Sequence, residues 1–137
     1  MVQIDIQYDG ELRCSAVHGP SQETLHTDAP KDNEGKGESF SPTDLVATAL
    51  GTCIATTMGI YARRKEIALE GLHITVKKEM SKDAPRRIVR LETQIDMPVE
   101  STHPEAQTLE RVAHTCPVHQ SLVAEMEKPI IFRYSDS

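Results

Sequence analysis

Apolar and polar residues alternate along the first part of the chain, and this pattern predicts β-strands. Residues 2–8 place Val, Ile, Ile and Tyr at every second position, and a period of two is typical of a strand. Asp9-Gly10 has the composition of a two-residue hairpin turn, and the alternation resumes over residues 12–16. A short third strand is predicted over residues 24–27, whose side chains favour extended backbone.

A strong helix start follows a polar loop. Ser41 can cap a helix, Pro42 suits its first position, and Asp44 places a carboxylate three residues after the cap. Residues 45–62 carry no charge. Their length approaches that of a membrane span, but threonines and glycines dilute the stretch, so we predict a helix buried on both faces inside a soluble protein. One face comprises Val46, Ala49, Leu50, Cys53, Thr57 and Ile60, and the opposite face Ala47, Gly51, Ala55 and Ala62.

A second hairpin is predicted downstream. Alternation over residues 72–78 and 89–97 indicates two strands, and the Lys-Asp-Ala-Pro sequence at residues 82–85 supplies a turn between them. A final strand is predicted over residues 129–134.

Two helices are expected between that hairpin and the last strand. Thr102 and Glu105 have the spacing of a capping box. Pro117 should end this helix and begin another that continues to Met126, because a residue before proline is pushed out of the helical region. The order βββ-α-ββ-αα-β predicts an α+β fold in a single domain spanning residues 1–137.

The net charge and the number of cysteines restrict the classes of function and the cellular compartment that we expect. Fifteen Lys and Arg against 21 Asp and Glu give a net charge of −6, which leaves no basic surplus for nucleic acid or an anionic membrane. The amino terminus lacks the basic start and apolar run of a signal peptide. Three cysteines are too few for a secreted disulfide scaffold, so we predict a cytoplasmic protein with at least one free thiol.

The three cysteines differ in position. Cys14 lies on a strand face and is expected to pack in the core. Cys53 lies mid-helix, where the ordinary interpretation is a small buried hydrophobe. Cys116 directly precedes Pro117, so its sulfur should face the N–H groups that open the next helix, which favours ionisation. It is therefore a candidate nucleophile or metal ligand, with an ordinary helix cap as the alternative.

His114, Cys116 and His119 raise a zinc hypothesis, with Cys53 as the fourth ligand. However, His-x-Cys-x-x-His is not a usual structural zinc pattern and supplies only three local ligands. The histidines are alternatively residues of a solvated helix face. No phosphate-binding glycine loop or Gly-x-Ser-x-Gly elbow occurs. We predict neither a metal nor a cofactor.

Two motifs resemble those of the OsmC/Ohr family. Residues 37–53 read Gly-Glu-Ser-Phe-Ser-Pro-Thr-Asp-Leu-Val-Ala-Thr-Ala-Leu-Gly-Thr-Cys, and residues 113–122 read Ala-His-Thr-Cys-Pro-Val-His-Gln-Ser-Leu. A Pro-x-x-Leu helix start that leads to a cysteine, paired with a later Cys-Pro-Val helix start, is similar to this family. The element order agrees over essentially the whole chain. The resemblance implies an intertwined homodimer with long central helices and outer sheets.

The resemblance also implies an activity, that of a thiol-dependent peroxidase for organic hydroperoxides in oxidative-stress defence. Cys53 corresponds to the attacking cysteine and Cys116 to the resolving one. An external dithiol would then reduce the disulfide. The alternative is an OsmC-like protein that senses redox state, or binds a ligand or metal, without efficient turnover.

The residues expected to support the thiol differ from the family pattern. That pattern has an acidic residue after the helix-start proline, which pairs with an arginine that activates the attacking thiol. Here Thr43 holds that position and Asp44 follows it, about 100° further around the helix. Arg13 is the candidate arginine. The other candidates for a supporting role are Lys31, Lys36 and His114.

Overall fold

A computed structural model describes all residues, 1–137, and has the element order predicted from the sequence. The strands form two three-stranded sheets, β1-β2-β3 and β4-β5-β6. The α+β class is therefore confirmed. The elements are β1 (Ile4–Gly10), β2 (Arg13–His18), β3 (Thr24–Asp28), a 3-10 turn (Lys31–Asn33), α1 (Pro42–Arg64), β4 (His73–Met80), β5 (Ile88–Asp96), α2 (Ala106–Ala113), α3 (Pro117–Ser121) and β6 (Ile130–Arg133).

The chain forms two compact units, Met1–Val46 and Ala47–Ser137. The first contains β1 to β3 and the start of α1, and the second contains the remaining elements. The prediction of a single domain over residues 1–137 stays a prediction.

The first unit contains an antiparallel sheet whose opening hairpin turns two residues later than predicted. Glu11 and Leu12 form the turn, with φ values of 56° and 61°, as a two-residue hairpin turn requires. The pairing register shifts between Tyr8 and Gly10. This bulge takes up Asp9-Gly10 within the end of the strand, so the turn falls on the following pair.

One face of this sheet is apolar and exposed. Ile4, Ile6 and Tyr8 are 56%, 71% and 64% exposed. The cross-strand pairing puts Ala16 beside Ile6 and Cys14 beside Tyr8 on the same face. Cys14 is only half-buried, so the prediction that it packs in the core is wrong. The reason is that Cys14 pairs across the strands with Tyr8, which is itself exposed.

The second unit has a largely apolar core between its sheet and its helices. Strands β4 and β5 pair antiparallel, and β5 and β6 pair parallel. Helix α1 approaches β4 closely at Gly51, where an added Cβ would lie 3.1 Å from Val76 Cγ2. The principal buried side chains are Leu50, Ile54, Met58, Leu91, Ile95, Leu109 and Cys116.

Helix α1 buries one stripe rather than two faces. The predicted burial of Ala47, Gly51 and Ala62 is confirmed. Ala55 of that face is half-buried. Of the other predicted face only Leu50 is buried, whereas Cys53 is half-buried and Ile60 is 49% exposed. The buried stripe instead follows Leu50, Ile54, Met58 and Ala62. A helix that packs on a single sheet buries one stripe and leaves its flanks accessible.

By length and composition α1 also passes the test for a membrane-crossing helix, since an 18-residue window has a mean hydropathy of 1.5. A core helix of a soluble protein passes the same test, so one such helix is weak evidence of a membrane span.

Helix α2 begins later than the capping-box pattern predicts. Its first residue is Ala106, and its N-cap, Glu105, makes no side-chain cap bond. Thr102 Oγ1 instead lies 3.5 Å from Glu100 Oε2. The Glu105 carboxylate accepts a hydrogen bond of 2.8 Å from the Tyr61 hydroxyl of α1, so it is engaged with α1 instead of closing a capping box.

Helix α3 is shorter than predicted and ends at Ser121, because Leu122 has extended backbone. The Lys128 ammonium group then donates hydrogen bonds of 2.9 Å to the carbonyls of Val123 and Met126. These bonds stabilise a turn where continued helix was expected.

Candidate active site

The start of α1 is a closed capping box. The Ser41 N–H donates to Asp44 Oδ2 at 3.0 Å, and the Asp44 N–H donates to Ser41 Oγ at 3.1 Å. Ser41 is buried, and its Oγ lies 3.2 Å from the Thr43 hydroxyl. The predicted helix start is confirmed. One oxygen of the Asp44 carboxylate, a candidate supporting group for the thiol, is thus used to fix the first turn of α1.

The structure brings Cys53 and Cys116 together. Cys53 lies in the middle of α1 and is half-buried, whereas Cys116 is the fully buried N-cap of α3. The Cys53 thiol lies close enough to the Cys116 thiol to interact with it electrostatically. Both residues belong to the second unit, so a rigid core holds the two sulfurs as neighbours.

The surroundings of Cys116 oppose its ionisation. Its sulfur accepts the His119 N–H at 3.3 Å, as predicted from its place before Pro117. Burial nevertheless raises the pKa of the Cys116 thiol, and the neighbouring Cys53 raises it further. The expectation of an easily ionised Cys116 is therefore wrong, because desolvation outweighs the N–H groups of this short helix. Cys116 retains its proton and can donate it to the Cys53 sulfur.

The nearby histidines do not complete a metal site. His114 is exposed and packs against other rings, with centroids 6.0 Å from His119 and 6.4 Å from Phe132. No group of three or more His, Cys, Asp or Glu side chains is arranged to hold a metal ion. Burial lowers the pKa of His119, and the charges of Lys128 and His114 lower it further.

Arg13 is bound within the first unit by two acidic residues that sequence reasoning missed. Its Nη2 donates to Glu38 Oε2 at 2.6 Å and lies 3.6 Å from Asp28 Oδ2. These contacts, that with Glu38 first, raise the pKa of the guanidinium. Asp28 is 2% exposed, and its Oδ2 also accepts the Glu38 N–H at 3.1 Å. The signal that could have found Asp28 is its cross-strand pairing with Arg13.

The candidate residues therefore fall into two groups. Cys53, Cys116 and His114 lie in the second unit, and Arg13, Thr43 and Asp44 lie in the first. Of these residues, the two cysteines are the pair whose side chains interact with each other. The supporting roles of Arg13, Thr43, Asp44 and His114 stay predictions.

A family comparison covers both the helix start and the two cysteines. The family model of OsmC-like proteins matches residues 35–127, a range that includes both cysteines. The chain belongs to the OsmC-like family. The resemblance noted from the two sequence motifs is confirmed, and so is the OsmC-like fold.

Solved structures agree with this assignment. The chain is 40% identical to a protein from Psychrobacter arcticus 273-4 named for osmotic stress induction and a detoxification response, with a TM-score of 0.90 and coverage of 97% of this chain and 96% of that one. No curated protein matches the chain.

Two more distant structures show the same OsmC-like fold. An organic hydroperoxide resistance protein OsmC from Legionella pneumophila has 15% identity and a TM-score of 0.77, with 96% of each chain covered. An organic hydroperoxide resistance protein from Elizabethkingia anophelis has 16% identity and a TM-score of 0.79, with 98% of this chain and 96% of that one covered.

Proposed function

We propose that this OsmC-like protein is a cytoplasmic thiol-dependent peroxidase that reduces organic hydroperoxides through Cys53 and Cys116. The observation that carries the proposal is the proximity of the two thiols, one half-buried on a helix and the other fully buried beside it. Two structurally similar proteins are named for organic hydroperoxide resistance, which supports the substrate class.

The proposed reaction uses both sulfurs. The Cys53 thiolate attacks the distal oxygen of the hydroperoxide, so that an S–O bond forms and the O–O bond breaks. The alkoxide leaves and takes a proton to become an alcohol. The Cys116 sulfur then attacks the sulfenic acid of Cys53, which forms a disulfide and releases water. An external dithiol reduces this disulfide by thiol exchange and restores both thiols.

The burial of the two cysteines supports these roles. Cys53 is half-buried and reachable by a small molecule, whereas Cys116 has no exposed surface. Cys116 keeps its proton because burial raises its pKa, so it does not compete for the peroxide. Since it already contacts Cys53, it can capture the sulfenic acid before a second peroxide oxidises it further.

The flank of α1 that carries Cys53 favours an organic substrate. Ala49 lies about one turn before Cys53 and Ile60 about two turns after it, on the same side of the helix. Ala49 is half-buried and Ile60 exposed. An apolar, accessible surface beside the thiol binds an alkyl group more readily than the small, strongly hydrated hydrogen peroxide.

We also propose that the working form is a homodimer. The exposed apolar face of the first unit, with Ile4, Ile6 and Tyr8, supports this proposal. A three-stranded sheet needs a covered apolar face for stability, and a continuous exposed patch is typical of an interface. Light scattering should give twice the 15.2 kDa chain mass. A mass near one chain would contradict the proposed dimer.

Oxidation of single-cysteine variants tests the peroxidase. Reduced protein is mixed with cumene hydroperoxide or hydrogen peroxide, and free thiols and intact mass are followed. Wild type should lose two thiols, faster with cumene hydroperoxide. Cys116→Ser should accumulate sulfenic or further oxidised Cys53, and Cys53→Ser should consume no peroxide. Cys14→Ser is the matched control and should behave as wild type. A Cys53 that stays reduced in excess peroxide would contradict the proposal.

One observation favours a second candidate, a redox sensor that is oxidised once without efficient turnover. Thr43 replaces the acidic residue of the family pattern, and Arg13 pairs instead with Glu38 and Asp28. With catalytic amounts of protein and excess dithiothreitol, a peroxidase consumes many equivalents of cumene hydroperoxide. A sensor consumes about one equivalent per thiol pair.

A further inference from the structure

Thr57 lies one helical turn after Cys53 on α1. Side chains four residues apart on a helix are neighbours, with Cβ atoms about 5–6 Å apart. Because Cα–Cβ bonds tilt toward the start of the helix, the Thr57 side chain leans back over the turn that carries Cys53. Thr57 is half-buried, as is Cys53. Its hydroxyl therefore belongs to the same accessible flank as the thiol.

This hydroxyl differs from another on the same helix. Thr52 Oγ1 donates to the Thr48 carbonyl at 2.8 Å, which is the usual bond of a helical threonine to the backbone four residues earlier. Thr57 makes no such bond to the Cys53 carbonyl and has no other hydrogen-bond partner. Its oxygen is not among the buried polar atoms that lack partners. It is therefore a free hydrogen-bond donor that a ligand can reach.

Two other donors near the thiol already have partners. The Cys116 thiol interacts with Cys53, and the His119 N–H donates to Cys116 Sγ. Thr56, three residues after Cys53, is exposed on the solvent side of the helix. Thr57 is thus the side chain of α1 best placed to donate to a molecule that approaches Cys53.

Breaking an O–O bond by thiolate attack places negative charge on the leaving alkoxide oxygen. We propose that the Thr57 hydroxyl donates a hydrogen bond to this oxygen and so stabilises the transition state of hydroperoxide reduction, an inference that rests on the proposed function. In this step Cys53–S⁻ and ROOH give Cys53–SOH and RO⁻. The alkoxide then takes a proton from water, and Thr57 keeps its own.

Two substrates with different leaving groups test the role of Thr57. tert-Butyl hydroperoxide releases a strongly basic alkoxide that needs a donor, whereas peroxyacetic acid releases a weakly basic carboxylate that does not. Thr57→Val replaces the hydroxyl by a methyl group of similar size. It should slow oxidation of Cys53 by tert-butyl hydroperoxide about tenfold and leave the rate with peroxyacetic acid within about twofold of wild type.

Three further variants complete the experiment, which measures second-order rate constants by stopped flow. Thr57→Ser should restore most of the rate with tert-butyl hydroperoxide because it keeps the hydroxyl. Thr52→Val, which removes a hydroxyl from the same helix away from Cys53, should match wild type with both substrates. If Thr56→Val slowed the reaction and Thr57→Val did not, the donor would be Thr56, and the inference would be overturned.

The remaining outcomes are also decisive. Equal slowing of both substrates in Thr57→Val would indicate a structural role, and an unchanged rate with both would show that the hydroxyl is not used. Either result overturns the inference while the peroxidase proposal stands. A wild-type Cys53 that reacts with neither substrate contradicts the peroxidase itself, and the role of Thr57 is contradicted with it.

Discussion

The two sheets of this protein contain the same number of strands but differ in what covers them. The sheet β4-β5-β6 packs against α1, and its inward residues Leu91 and Ile95 have no exposed surface. In the sheet β1-β2-β3, the corresponding apolar residues Ile4 and Ile6 are more than half exposed. Alternation along a strand indicates which side chains share a face, but the face is buried only where another element covers it.

The two units also differ in the chemical groups that they hold. The covered unit holds the two thiols in contact, because a close-packed core keeps its side chains in single conformations. The first unit holds Arg13, tied to Glu38 and Asp28, together with an apolar surface that lacks a cover. The second unit therefore holds the proposed reactive centre, and the first holds the proposed dimer interface.

Ile54→Ala in the second unit should have the largest effect. Ile54 is fully buried in α1, and loss of such a side chain leaves a cavity. We expect the free energy of unfolding to fall by about 2–5 kcal/mol, measured by urea denaturation. Ile60→Ala, on the exposed flank of the same helix, is the control and should cost less than about 1 kcal/mol in the single chain.

Ile6→Ala tests the first unit with the same chemical change. If a second copy covers Ile6, burial of that side chain contributes about 1.5–3 kcal/mol. The variant should then weaken dimerisation by about tenfold or more, measured by analytical ultracentrifugation. Gln7→Ala changes the opposite face of the strand and should leave the dimer intact. An unchanged dimer in Ile6→Ala would show that this face stays open to solvent.

Asp28→Asn tests the polar anchor of the first unit. The change removes the charge that faces Arg13 and weakens the bond from the Glu38 N–H. Because hydrogen bonds to charged groups contribute about 1.5–3 kcal/mol and Arg13 is partly exposed, we expect a loss of about 1–2 kcal/mol. Urea denaturation measures it, with the exposed Glu34→Gln as the control. A stability equal to wild type would show that the anchor contributes nothing.

His119→Gln should give the smallest effect, visible only as a change with pH. Burial lowers the pKa of His119 in the folded state, so below about pH 6.5 the unfolded chain binds more protons than the folded one. Stability should fall as the pH falls from 7.5 to 5.5. The variant should reduce this fall by less than about 1 kcal/mol, whereas Gln107→Ala, an exposed change on α2 that removes no titrating group, should leave it unchanged. Parallel profiles for wild type and His119→Gln would contradict the assignment.

Local signals predicted most of the fold. The capping box of Ser41 and Asp44 formed as its spacing indicated, because it depends only on residues within one turn. The capping box predicted at Thr102 did not form, since Tyr61 of another helix binds the Glu105 carboxylate. Similarly, the first turn lies at Glu11-Leu12 because a bulge consumes Asp9-Gly10.

Prediction of the candidate site from the sequence has the same limit, because contacts between distant residues are not visible in it. The sequence placed Cys116 before a helix, and its sulfur does accept the expected N–H. Its ionisation was predicted in the wrong direction, because the pKa depends on how deeply the sulfur is buried and on its neighbour Cys53. The partners of Arg13 were missed because Asp28 and Glu38 approach it only through strand pairing and a folded loop.

The sequence by itself determined the element order, the helix start at Pro42 and the two cysteine motifs that place this chain in its family, because each depends on neighbouring residues and their spacing. Tertiary structure alone decided which stripe of α1 is buried, that Cys53 contacts Cys116, and that the first sheet is left uncovered. These outcomes depend on contacts between residues far apart in the chain, and burial and electrostatic environment are set only when those contacts form.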